Sequence, residues 1–206
     1  MSLIRTAVVP RFLVLSTTWL ALSGCALSQL DAQWVDGQAA GTSFAGSKVL
    51  VVCDAAEPTV RRICEDQLAL QLRAAGLEPL SSDATAVISP NPAERNLAAA
   101  KSLGAQAIFH AVIFSRSILT QSSPMFTMGM ETGRWRRGWG MGMDFPYEPV
   151  RELGTAYSSD NTLSSGTTGK AIWSGKVSTV SSQDISQQIA ELSRTAVASA
   201  RKAGFL

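Results

Sequence analysis

Lys48-Val49-Leu50-Val51-Val52-Cys53 is the stretch on which the reading of the fold turns. A short, unbroken apolar run rich in β-branched residues reads as a strand covered on both faces, because a half-exposed strand would alternate. Asp54-Ala55-Ala56-Glu57 supplies an exit loop, and Pro58 suits the first position of a helix, where a missing N–H costs nothing. Val60, Cys64, Leu68 and Leu72 recur every fourth residue, on one buried stripe of a helix running to about Ala75. Gly76 is its stop. Arg61–Glu65 and Arg62–Asp66 are i,i+4 pairs on the opposite side, worth a few tenths of a kcal/mol. A buried strand leading straight into a packed helix predicts layers of helix on sheet.

Downstream the same logic repeats. Leu77-Glu78-Pro79-Leu80 is a weak strand, and Pro79 assigns it to an edge or a strand start. Asn91-Pro92-Ala93-Glu94 opens a second helix, with Asn91 as cap, Pro92 at the first position and Glu94 able to reach back. It ends near Leu103, before Gly104. Residues 107–114 form a second strand apolar on both faces. A strand from Gly154 to Ser164, a turn at 165–169 and a partner strand from Lys170 to Val180 form a hairpin. The last helix starts near Ser182 or Asp184 and runs to about Ala203, with Ile185, Ile189, Leu192, Ala196 and Ala200 as its apolar stripe. Strand–helix–strand units demand right-handed crossovers. The expected fold is α/β (α+β), a mixed sheet of about four to five strands packed with three helices, in a single domain over 48–206.

Residues 120–153 break the pattern. Glycine alternates with Met or Trp through Met125, Met128, Met130, Trp135, Trp139, Met141 and Met143, in a stretch too long for an ordinary connection. Trp135, Trp139, Arg134, Arg136 and Arg137 are residue types enriched at interface hot spots, which makes them the candidate interaction surface. Methionines suit an adaptable apolar surface, and a basic aromatic loop can also touch anionic headgroups. The plainer reading is a glycine-rich loop folded back on the domain.

Upstream, Arg5 and Arg11 precede an apolar run from Phe12 to Leu22, broken only by Ser16-Thr17-Thr18, and small residues follow. This is the three-part form of a secretory signal over residues 1–24. The run is too short for a bilayer span, which needs roughly 20 apolar residues. Leu22-Ser23-Gly24-Cys25 resembles the lipobox of bacterial lipoproteins. The resemblance implies diacylglycerol on the Cys25 thiol, cleavage before Cys25 and acylation of the new amino terminus. An ordinary cleaved signal is the alternative. Ala26 stands where an aspartate favours inner-membrane retention in that class, which implies the outer membrane, facing the periplasm. Residues 25–47, rich in Ala, Ser, Gln and Gly, read as a lipidated tether that becomes ordered near Trp34 or Phe44, with Trp34 packed under the domain.

Removing residues 1–24 leaves 182 residues, enough for one well-cored domain. Two of the 18 basic residues lie in the removed segment and none of the 16 acidic ones does, so the remainder is neutral. A nucleic-acid partner is not indicated. Cys53 and Cys64 are the remaining cysteines, and export to an oxidising compartment makes a disulfide the expected state. Closing a loop of this length stabilises by about 2.5 kcal/mol on the entropy model. Two buried free thiols are the alternative, because sequence does not give the Cα separation.

The chain resembles a group of small bacterial outer-membrane lipoproteins of unassigned function. The matching segments are 48–52, Arg61-Arg62-Ile63-Cys64-Glu65-Asp66, Leu72-Arg73-Ala74-Ala75-Gly76, Leu103-Gly104-Ala105-Gln106-Ala107-Ile108 and Thr168-Gly169-Lys170-Ala171-Ile172-Trp173-Ser174-Gly175. More loosely it is similar to the anticodon-binding-like α/β domain of the Tol-Pal propeller protein's amino terminus and of the curli secretion lipoprotein. The likeness covers most of 48–206 but not the insertion. It implies fold and location, and it carries no activity over.

A search for chemistry finds little. His110 is the one histidine, sits mid-strand among apolar neighbours and reads as structural. No Gly-x-Ser-x-Gly elbow, P-loop or cluster of metal ligands is evident, so no catalytic residue, metal or cofactor is assigned. The expected function is a non-enzymatic envelope lipoprotein, an interaction or assembly module, held to the membrane through Cys25 and engaging an envelope protein. One alternative is a periplasmic small-ligand binder or hydrolase at the Asp54/Glu57 corner, with His110. Another is a subunit of a ring-forming secretion assembly, which would require spanning strands of about 9–11 residues. Residues 125–145 fit that poorly, because Arg134, Arg136 and Arg137 interrupt them.

Overall fold

Strands and helices alternate over residues 48–121 and are followed by a strand pair and a last helix in the computed structural model, which describes residues 28–39, 41–81, 91–121, 151–182 and 184–206. The elements are β1 (Ser28–Val35), β2 (Lys48–Ala55), α1 (Pro58–Ala74), β3 (Glu78–Ser81), α2 (Pro92–Leu103), β4 (Ala107–Gln121), β5 (Arg151–Ser165), β6 (Ala171–Thr179) and α3 (Ile185–Lys202). One six-stranded sheet takes the order β1-β6-β5-β4-β2-β3. β2 is parallel to both β3 and β4, while β4–β5, β5–β6 and β6–β1 are antiparallel. The α/β (α+β) layering and the three helices are as expected, and the strand count is one more than the upper expectation.

β2 is buried on both sides, as its unbroken apolar run requires. Val49, Val51 and Cys53 enter the larger core with α1 and α3, whereas Leu50 and Val52 meet Ala99 and Ala100 of α2 on the other face. Val60, Cys64, Leu68 and Leu72 of α1 are all buried. Gly76 ends this helix region at φ 87° and Gly104 caps α2 at φ 67°, left-handed backbone that a side chain resists. Asn91 Oδ1 accepts from the Ala93 N–H at 3.0 Å to start α2. Asp184 does the same for α3, accepting from the Gln187 N–H at 3.0 Å. Ile189, Leu192, Ala196 and Ala200 are buried, but Ile185, expected on the same stripe, is 38% exposed at the helix start. Trp173 of β6 and Phe109 of β4 fill the larger core, ring centroids 6.2 Å apart.

Three expectations need correction. The segment read as a tether over 25–47 contains β1, an edge strand paired with β6 from Ser28↔Thr179 to Val35↔Trp173. Its pairing comes from backbone hydrogen bonds, so it forms without the apolar content that marks a central strand. Trp34 does not pack under the domain; it is 51% exposed, because it lies on the open side of this edge strand. Finally, β4 and β5 each run for 15 residues, well beyond the strands expected at 107–114 and 154–164.

Candidate functional site

The ends of the strands position the most distinctive feature. β4 runs beside β2 only as far as Ala55↔Ile113, and β5 beside β6 only as far as Ser158↔Ser178. The β4–β5 ladder nevertheless continues to Gln121↔Arg151. Past Ile113 and Ser158 these strands therefore pair only with each other, as a two-stranded arm leaving one end of the sheet. From Ser115 to Gln121 the arm extends about 20 Å at the usual antiparallel rise.

Its root is fastened by polar groups. Gln188 of α3, a buried residue, donates from Nε2 to the Thr155 and Ser182 carbonyls at 2.9 and 2.7 Å. Its Oε1 accepts from the Tyr157 N–H at 3.2 Å and from Thr179 Oγ1 at 2.7 Å. Thr179 Oγ1 lies 3.0 Å from the Tyr157 carbonyl. Burial raises the Tyr157 phenol above its ordinary pKa, and the negative charge of Glu57 adds to the shift. Sequence reasoning missed Gln188, because a polar residue inside an apolar helical stripe looks like an interruption.

Strand alternation sends Trp34, Ser174, Lys176, Asp160, Thr162, His110 and Phe114 to the face that α2 shares, and α2 packs there on β2 and β4. Trp34 and Phe114, 51% and 47% exposed, lie at opposite corners of the open part. Polar contacts cross it: Lys176 Nζ to Asp160 Oδ1 at 3.8 Å and Ser178 Oγ to Asp31 Oδ1 at 3.0 Å. A shallow depression beside Trp34 is lined by Asp160, Thr162, Ser174 and Lys176.

His110 and Asp54 do meet. His110 Nε2 lies 2.8 Å from Asp54 Oδ2, with side chains 28% and 47% exposed. Parallel register explains this: Val52 pairs with His110, so Asp54 is one same-face step along β2. Glu57 is exposed at the N-cap of α1. Four surface depressions among the described residues, beside Arg62, Tyr157, Gln188 and Trp34, are lined by none of His110, Asp54 and Glu57. The pair can orient an imidazole; Cys53, next to Asp54 in sequence, points to the other face of β2 and is bonded to Cys64. Cys53 and Cys64 are bonded, S–S 2.06 Å and Cα–Cα 6.1 Å, tying β2 to the second turn of α1.

Among the described residues, no three His, Cys, Asp or Glu side chains converge as a metal site would require. No described helix is long and apolar enough to cross a membrane. Cys25 and the candidate surface of Trp135, Trp139, Arg134, Arg136 and Arg137 lie outside the described residues. So does the insertion, apart from its first and last residues, which belong to β4 and β5.

No protein-family model matches the chain. No curated protein matches it either. Among solved structures it is similar to the PelC dodecamer from Paraburkholderia phytofirmans, at 13% identity and TM-score 0.43, covering 82% of this chain and 96% of that one. The L103M variant of that dodecamer gives 12% identity and TM-score 0.42, over 82% and 95%. A PDZ domain protein from Parabacteroides distasonis gives 9% identity and TM-score 0.41, over 88% of this chain and 37% of that one.

Proposed function

We propose that this chain is a lipid-anchored, periplasm-facing outer-membrane lipoprotein that works without catalysis, as an interaction or assembly module. The observation that carries the reading is the arm. A two-stranded ribbon is at best marginally stable alone, yet β4 and β5 stay paired over 15 residues and outrun their neighbours in the sheet. Such a ribbon adds little to the core. It holds out residues 122–150, the Gly-, Met-, Trp- and Arg-rich segment, at its far end. Leu22-Ser23-Gly24-Cys25 supplies the anchor in this reading, and the Cys53–Cys64 disulfide suits an oxidising compartment.

Two measurements test the proposal. Palmitate labelling should mark the wild-type chain and be lost in Cys25→Ser. Envelope crosslinking should then recover a protein partner with the full chain and lose it when residues 122–150 are replaced by a tight turn, while the disulfide and helical circular dichroism persist. Unchanged crosslinked partners after the replacement would remove the arm from the function.

A further inference from the structure

We infer that the end of the domain from which the arm departs is a membrane-contact surface, seated on phospholipid headgroups. The inference rests on the lipid anchor proposed at Cys25 and specifies which end of the domain that anchor holds down.

The first argument is one of length. Ser28 opens β1 opposite Thr179, the last residue of β6, and Ser28 Oγ is tied to α3 by Thr195 Oγ1 at 2.6 Å. Cys25 is three residues earlier in the chain, and three fully extended residues reach at most about 10 Å. The lipid is thus held within about 10 Å of Ser28. Thr179 is bonded to Tyr157, and Tyr157 pairs with Ser115, so Ser28 is level with the arm's root. From that level the arm extends about 20 Å along the strand direction, twice the length of the leash. β1 begins, β2 and β6 finish, and α1 and α3 start at this same end. A bilayer held this close meets the arm before the arm can clear it.

The second argument is the character of the surface. Val180, Phe114, Ile185 and Leu30, exposed by 58%, 47%, 38% and 36%, all lie toward this end. Leu30 lies on the sheet face of the larger core and Phe114 on the face that α2 shares, so apolar side chains flank this end on both faces, where they can enter a headgroup layer. Cations lie at both ends: Lys48, Lys170, Arg73, Lys101, Arg201 and Lys202 at the opposite one, and Arg61 and Arg62 near the start of α1, Arg95 near the start of α2 and Arg116 in the arm toward this one. The short leash sets the contact whatever the charge of the lipid, so phosphatidylcholine vesicles, which carry no net charge, suffice to observe it. Helix N-termini facing the headgroups add a weak attraction for phosphate.

The test uses the lipidated mature chain in phosphatidylcholine vesicles, with an environment-sensitive fluorophore on Ser117→Cys in the arm or on Thr167→Cys in the opposite turn. Labelling is done without reductant, so that the Cys53–Cys64 bond stays closed. The Ser117 label should shift to the blue, gain several-fold protection from aqueous iodide and be quenched by a nitroxide lipid, while the Thr167 label changes in none of these. Equal iodide quenching at both positions overturns the inference, as does protection at Thr167. Protection of Ser117 already present before vesicles are added, with a doubled solution mass, assigns the surface to a second copy and overturns it too. Palmitate labelling of the same samples separates the two claims. Its absence removes the anchor and this inference together, whereas its presence with an exposed Ser117 label removes this inference alone.

Discussion

Gly175→Ala probes the packing that holds β1, the strand nearest Cys25, to the sheet. Gly175 is buried in the middle of β6, between Gln33 of β1 and Asn161 of β5. A Cβ there would lie 2.6 and 2.7 Å from Cζ2 and Cη2 of Trp173 and 3.3 Å from Leu30 Cδ1. Leu30 is partly exposed and can step outward. Trp173 is fully buried against Phe109 and cannot swing aside without moving that ring. Overpacking of this kind costs about 1–3 kcal/mol. The φ at Gly175 is not in the left-handed region, so alanine gains about 0.4–1 kcal/mol from a less flexible unfolded chain. The net is a loss of about 1–2 kcal/mol, or roughly 3–6 °C in Tm for a domain of this size. Urea and thermal melts of the mature Cys25→Ser chain measure it. Cζ2 and Cη2 belong to the part of the indole that phenylalanine lacks, so in a Trp173→Phe background the same substitution should cost little. An unchanged Tm for Gly175→Ala alone, or an equal loss in both backgrounds, would refute the argument.

Reducing the Cys53–Cys64 bond, or replacing both residues by alanine, should lower stability by about 2.5–3 kcal/mol, read from the urea midpoint with and without reductant. Tyr157 should titrate above the ordinary 10.0. Its folded pKa is the raised one, so its contribution to stability is complete below about pH 10 and is lost as pH rises through the folded value. Absorbance at 295 nm in a Tyr147→Phe background isolates the single phenol, and Glu57→Gln should move it only part of the way back, because burial is the larger cause. Replacing residues 118–154 with Asn-Gly keeps the Ser117↔Thr155 pair and the Gln188 contacts. It should leave Tm within about 3 °C, since an isolated two-stranded ribbon is marginal by itself; a large drop in a calorimetric scan would make the arm part of the folding unit.

The covered strand and the striped helix were legible because burial on both faces, or every fourth residue, leaves a pattern in side-chain type. Val49 to Cys53 and Val60 to Leu72 are where that pattern says they should be. β1 has a pattern too, Leu30, Ala32 and Trp34 alternating with Gln29, Asp31 and Gln33, but it is a polar edge strand inside a linker-like composition. Hydrogen bonds to β6 make it a strand, and backbone hydrogen bonds have no sequence signature. The same holds for Ser115-Arg116-Ser117 in the arm, which pair by ladder rather than by burial. At the site, two cysteines in a chain read as exported could be paired by count, whereas the meeting of His110 and Asp54 depends on the register of two parallel strands 56 residues apart. The Trp and Arg residues of the insertion were singled out by type alone.

The position of β1 matters most for how an anchored chain would behave. A flexible tether of 22 residues has a root-mean-square span of about 26 Å, enough for a domain to tumble freely above a bilayer. With Ser28 paired in β1, a lipid at Cys25 would be three residues and at most about 10 Å from the sheet. A domain of this size on so short a leash cannot present every side to the membrane. Its orientation then follows from where β1 enters the sheet, and β1 enters at the end where β4 and β5 leave it. An anchor at Cys25 and the arm would act as one device only because the edge strand joins them: seven pairs between β1 and β6, with Ser28 also bonded to α3, carry the load from one to the other. Weakening that edge, as Gly175→Ala does, should therefore loosen the orientation of the arm before it unfolds the domain.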